Sequence, residues 1–170
     1  QGYGNVGSWT AKLLAPLGST LVAVEDHTGA IANPDGIDAA ALADYVAKEG
    51  GVEDYPDAEP ISHKAFFSTE ADLFIPAALE NQITAETASW VNARVVVEGA
   101  NGPTDIEGDQ ILKDRGILVL PDVLCNAGGV IVSYFEWLQN KRSEFWDMAE
   151  VDAKLHKQIV GAYEVVRETV

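Results

Sequence analysis

The chain has 170 residues, 47% of them apolar, which suits one compact domain with a sizeable core and argues against disorder. Its 27 acidic and 11 basic residues leave a formal charge of -16, repelling nucleic-acid phosphates and anionic membrane surfaces. A single cysteine, Cys125, excludes an internal disulfide, and no run approaches the roughly 20 apolar residues of a bilayer span.

These balances fit a soluble protein of a reducing cytoplasm. The acidity suits a high-salt cytoplasm and an ordinary acidic protein alike. No basic stretch followed by an apolar one opens the chain as a secretory signal does. Gln1-Gly2-Tyr3 lies inside a glycine-rich turn, without an initiator methionine, so a preceding segment is expected.

Val6, Trp9, Leu13 and Leu17 recur at spacings of three and four and make one helical stripe, ended by Pro16 and Gly18. Thr20 to Val24 reads as a buried strand before Glu25 and Asp26. Asn33-Pro34-Asp35-Gly36 has turn chemistry, and Asp38 is placed to cap a helix over 39–48 that stops at Gly50-Gly51. A polar loop follows to about Pro60. The apolar runs 71–75 and 94–97 predict parallel strands covered on both faces. Thr104 and Glu107 have the spacing of a capping box, for a helix running to about Arg115, and 117–120 is the next strand. A helix over 126–139 follows. From about Ser143, Met148, Val151, Leu155, Ile159, Ala162 and Val166 keep a helical stripe that needs a partner surface. Strand and helix alternate without internal repeat or low-complexity linker. This predicts an α/β fold with a Rossmann-like, doubly wound, mostly parallel sheet over 1–142 and a C-terminal helical segment over 143–170.

Gly2-Tyr3-Gly4-Asn5-Val6-Gly7 matches the dinucleotide fingerprint. Its first glycine makes the turn, the second admits a pyrophosphate, and the third lets helix and sheet approach. The helix starting near Asn5 would aim unpaired amides and a positive dipole end at the phosphates. Glu25 and Asp26 stand about 20 residues on, where the motif places the acid that meets the adenine-side ribose. Two carboxylates there disfavour a 2'-phosphate, so NAD is the first choice of cofactor and NADP the alternative. A packing turn at the glycines and a solvated acidic turn at 25–26 are the plain alternatives. No cluster with metal-ligand spacing is visible, and His27, His63 and His156 are scattered.

Five stretches together resemble the C-terminal domain of the glutamate, leucine, phenylalanine and valine dehydrogenase family. They are Gly2 to Gly7, Ala30 to Asp38, Ile75 to Ile83 (Ile-Pro-Ala-Ala-Leu-Glu-Asn-Gln-Ile), Val97 to Thr104 (Val-Glu-Gly-Ala-Asn-Gly-Pro-Thr) and Pro121 to Trp137. Within the family, the segment 126–137 is similar to the glutamate branch, in which a serine at the place of Ser133 holds the substrate side-chain carboxylate. Asn126, Val130 and Ser133 are spaced by four and three and so share one helix face. The resemblance implies that Asn101 touches the nicotinamide side of the cofactor and that Asn126 bonds the carboxamide or the substrate. Ala77 and Ala78 are small enough to let the cofactor approach backbone. It also implies reversible oxidative deamination of L-glutamate to 2-oxoglutarate and ammonia, in a homohexamer. The catalytic lysine and aspartate belong to a preceding domain, so no catalytic residue is assigned to this segment.

The residues alone leave two other readings open, a non-catalytic sensor of nicotinamide nucleotides and a methyltransferase using S-adenosylmethionine. The second leaves Asn101 and the segment 126–137 unexplained. In the strand order 3-2-1-4-5-6 the strand before the glycine turn lies at the sheet centre. Residues 1–170 expressed alone are therefore expected to aggregate or to melt without cooperativity. A two-state calorimetric transition of that segment is the contrary result.

Overall fold

Glycine and proline punctuate the first 120 residues into short elements, which a computed structural model describes as part of residues 1–169. Helix α1 (Asn5–Leu14) passes into one 3-10 turn at Pro16 and stops at Gly18, whose φ of 91° requires glycine. Strand β1 (Ala23–Glu25) then pairs antiparallel with β2 (Ala30–Ala32), and β2 with β3 (Glu59–Ile61). Helix α2 (Ala39–Glu49) lies between β2 and β3 in sequence; the Asp38 carboxylate accepts from the amides of Ala40 and Ala41 at its start, and Gly50 ends it. After the short helix α3 (His63–Phe67) come β4 (Ala71–Phe74), α4 (Ala85–Trp90), β5 (Ala93–Val97), α5 (Ile106–Asp114) and β6 (Leu118–Leu120). Strands β4, β5 and β6 form a parallel sheet in that order, with Leu73 opposite Val95 and Val95 opposite Leu118.

Aromatic packing fixes the core of the parallel half. Phe67 is wholly buried, with ring centroids 5.0 Å from Phe74 and 5.6 Å from Phe66, and Ile83, Val91, Val96 and Leu112 complete the cluster. Tyr3, Val24, Ile31, Leu42, Val52 and Tyr55 form a second cluster around the antiparallel sheet.

The α/β class and the parallel strands at 71–74 and 93–97 follow the sequence pattern. Several details differ. The strand expected over 20–24 sits at 23–25 and belongs to a hairpin, because Asp26 turns the chain: its amide donates to Gly29 O and its carboxylate accepts from Thr28. Strands β2 and β3 are three residues each, too short for a period-2 signal, and Pro60 fits β3 only as an edge strand. The cap of α5 is Asp105, which accepts from the amide of Gly108, and not the expected pair Thr104 and Glu107. Val6, Trp9, Leu13 and Leu17 are all exposed, so the stripe of α1 is its outward face, whereas Ala11 packs inward.

Between β1 and β4 runs a groove of about 700 Å³, lined by Leu21 to Val24 on one side and Ala71 to Ile75 on the other. At its end the backbone of Gln1 and Gly2 joins the two sheets. Ala77 N donates to Gln1 O, Gln1 N donates to Ile75 O, and Gly2 N donates to Glu25 O. The first two bonds follow the slanted pattern of a parallel ladder.

A second compact unit starts at Pro121. It holds α6 (Asp122–Cys125), α7 (Ala127–Arg142) and α8 (Met148–Thr169). Helix α7 ends at Ser143 in the left-handed region, with Lys141 and Arg142 beside its negative dipole end. The buried Phe135 meets Trp146 edge-on, with centroids 5.7 Å apart. Of the α8 stripe, Val151, Leu155 and Ile159 are half-buried, whereas Met148, Ala162 and Val166 are exposed.

Phe67→Ala removes the most enclosed ring of the parallel half and is expected to cost about 3–5 kcal/mol. Urea unfolding of the full-length protein measures this, and a loss below about 1 kcal/mol would contradict the packing described.

Candidate functional site

The three glycines of the opening turn have three different surroundings. Gly2 adopts φ of +84°, and a Cβ there would meet Ala77 O at 2.6 Å and Ala78 Cα at 2.9 Å, both backbone. A Cβ on Gly7 would collide with the carbonyl oxygen of Gly2. Gly4 has nothing within 4 Å of the place its Cβ would take. Two glycines therefore close the turn on itself and the middle one leaves open space at the start of α1. Gly4 is also the N-cap of α1, with no side-chain cap, so the first-turn amides of Asn5, Val6 and Gly7 have no intrahelical acceptor. Open space, unpaired amides and a positive dipole end together can hold an anion. Tyr3 anchors the turn from below, since its buried hydroxyl donates to Ala39 O at 2.8 Å. Burial, with Asp38 and Tyr55 nearby, pushes that hydroxyl up to about 12, so it remains a donor.

The exits of β4 and β5 border the same place. A Cβ on Gly99 would touch Ala77 Cβ and Val6 Cγ1, both at 3.4 Å. Gly99 N and Ala100 N donate to Pro76 O, and Asn81 N donates to Gly102 O, which lashes the loop carrying Asn101 to the loop carrying Ala77 and Ala78. Asn101 and Ala78 are exposed, and Ala77 is half-buried. So Gly2, Val6, Gly7 and Ala77 converge on one place, with Ala78 and Asn101 on adjoining loops.

Both acidic residues at the end of β1 have internal hydrogen bonds. The buried Glu25 accepts from Gln1 Nε2 at 2.8 Å, and its other oxygen lies 2.7 Å from His63 Nδ1. One oxygen of Asp26 accepts from Thr28 N and Thr28 Oγ1, and the other from Val52 N. A carboxylate offers about four lone-pair positions, so each retains accepting capacity. The sequence gives no hint of the His63 contact, which joins residues 38 apart.

In the second unit Asn126 stands between α6 and α7, and Val130 and Ser133 follow on one exposed face of α7. Gly128 and Gly129 have no neighbour within 4 Å of an added Cβ, so packing within this structure does not account for them. Among the described residues no group of three or more His, Cys, Asp or Glu side chains is placed to hold a metal, and no helix is long and apolar enough to cross a membrane.

The family model for Glutamate/Leucine/Phenylalanine/Valine dehydrogenase matches residues 1–170, the whole chain. The chain belongs to the glutamate/leucine/phenylalanine/valine dehydrogenase family. Among relatives of this family, glutamate dehydrogenase A2 of Halobacterium salinarum is 49% identical over 96% of the chain and 39% of its own length. The NADP-specific glutamate dehydrogenase A1 of the same organism is 46% identical over 99% of the chain and 40% of its own length. The crystal structure of hetero-hexameric glutamate dehydrogenase from Thermus thermophilus superposes with a TM-score of 0.91 at 30% identity, over 99% of this chain and 39% of that one. The chain thus spans about two fifths of the length of the dehydrogenases it matches.

In this chain the open middle glycine can be tested apart from the fold. Gly4→Asn supplies a better N-cap than glycine and is expected to keep stability within about 0.5 kcal/mol. Its side chain fills the space at the amides, so nicotinamide-nucleotide affinity should fall at least about tenfold, read by fluorescence titration with NADH. Unchanged affinity would remove the turn from the binding site.

Proposed function

We propose that this chain is the nicotinamide-nucleotide-binding part of a glutamate dehydrogenase, which in its full length catalyses reversible oxidative deamination of L-glutamate to 2-oxoglutarate and ammonia. The observation that carries the reading is the opening turn: Gly2 and Gly7 allow no side chain, Gly4 faces open space, and α1 begins there uncapped. This is a cradle that fits a pyrophosphate. The amides of Asn5, Val6 and Gly7 bind its charge. Glu25 and Asp26 sit at the adenine-side ribose, where their charge favours the free 2'-hydroxyl of NAD over the 2'-phosphate of NADP. NAD is thus the preferred cofactor and NADP the alternative, the latter named in a relative at 46% identity.

Ala77 and Ala78 keep the β4 exit low enough for the nucleotide to reach backbone, and Asn101 orients its nicotinamide side. When bound, the nucleotide supplies the hydride-accepting chemistry, and the protein's part is to place and shield the reacting atoms. In the second unit Asn126, Val130 and Ser133 form the substrate face of α7. Ser133 donates its hydroxyl to the side-chain carboxylate of glutamate, a charge-assisted bond. Val130 covers the adjoining apolar surface. The residues that move protons lie outside this chain. The full-length enzyme acts as an oligomer in the cytoplasm, on small-molecule substrates and without nucleic-acid or membrane partners.

Ser133→Ala in the full-length enzyme is expected to raise the KM for glutamate by about 10- to 100-fold with kcat little changed, the loss of one hydrogen bond to a charged group. Steady-state kinetics on glutamate checks this, and an unchanged KM would take Ser133 out of the substrate site.

A further inference from the structure

The contact between Glu25 and His63 is absorbed by neither the glycine cradle nor the fold. Glu25 is buried, and its two oxygens have one protein partner each: the side-chain amide of Gln1 at 2.8 Å and the imidazole of His63 at 2.7 Å. His63 is itself well held. It is the first residue of α3, whose start is capped by Ser62, and its ring lies edge-on to Phe67 at 4.9 Å and to Trp90 at 6.1 Å. Phe67 is wholly buried in the aromatic cluster, so the imidazole is braced from the core. Its side chain is nevertheless 53% exposed, so the brace leaves one edge of the ring in water.

Such a carboxylate is fixed in direction by the two groups that donate to it. A Glu side chain free of partners samples several rotamers, and a ribose hydroxyl that donates to it must first bear the cost of ordering it. With Nδ1 of His63 and Nε2 of Gln1 in place, that ordering is done before the nucleotide arrives, and about two lone-pair positions remain for hydroxyl groups. Asp26 next to it is ordered differently, by Thr28 and Val52 in its own hairpin, and does not depend on His63.

We infer that His63 is a positioning residue for cofactor choice: it orients the Glu25 carboxylate toward the adenine-side ribose and so sets the preference for NAD over NADP. The inference rests on the reading of Glu25 as a ribose contact given above. It assigns His63 no contact with the reacting atoms. Loss of His63 loosens an acceptor that only the 2'-hydroxyl of NAD uses, whereas a 2'-phosphate gains nothing from it.

The test is steady-state kinetics of the full-length dehydrogenase with NAD and with NADP. His63→Ala should raise the KM for NAD by about tenfold, leave kcat and the KM for NADP within about twofold, and so lower the ratio of kcat/KM for NAD over NADP about tenfold. His63→Asn, whose amide can donate from nearly the place of Nδ1, should restore most of the ratio. Glu25→Gln should lower the ratio by itself, and adding His63→Ala to Glu25→Gln should lower it little further. A purely structural His63 would instead change both cofactors alike and would not be rescued by asparagine; that result overturns the inference. If Glu25→Gln lowers the ratio and His63→Ala does not, the inference alone fails. If Glu25→Gln leaves the ratio unchanged, the ribose reading fails and the inference with it.

Discussion

The structure depends on a left-handed glycine at the ends of two strands. Gly2 turns with φ of +84° while its amide donates to Glu25 O, and the carbonyl of the preceding Gln1 accepts from Ala77 N. No residue with a Cβ fits there, because the atoms it would meet are backbone. Gly7 must come down onto the Gly2 carbonyl for α1 to start where it does. The exits of β4 and β5 are then tied to the same point through Pro76 O. One backbone conformation thereby sets the place of the helix start, the two loops and the end of β1.

The electrostatics follow from that placement. The chain carries a formal charge of -16, yet the start of α1 has no acidic residue in its first turn. An anion there meets the dipole and the amides. The acidic residues at the end of β1, Glu25 and Asp26, are held by donors from Gln1, His63, Thr28 and Val52, which offset the cost of keeping carboxylates largely out of water. The same donors direct them.

Much of this was legible in the residues. The glycine spacing locates the turn, Asp38 locates the start of α2, and the apolar runs before Pro76 and Glu98 locate β4 and β5, because each signal is local. What failed did so for physical reasons. Strands of three residues, such as β2 and β3, are too short to leave a periodic trace, and β3 is held by a partner distant in sequence. Thr104 and Asp105 are both good caps, and only the bridge of Thr104 to Ile83 shows that the helix begins one residue later. The periodicity of α1 gives a face and not a direction, and the exposure of Trp9 and Leu13 supplies the direction. His63 carries no signal in the sequence because its partner, Glu25, is brought to it only by tertiary structure.

The proposed role of the opening turn is to grip a pyrophosphate. A crystal structure of the full-length enzyme with NADH bound tests it most directly. Pyrophosphate oxygens are expected within hydrogen-bond distance of the amides at the start of α1, over Gly4. A nucleotide seated elsewhere, with that space left to solvent, would contradict it.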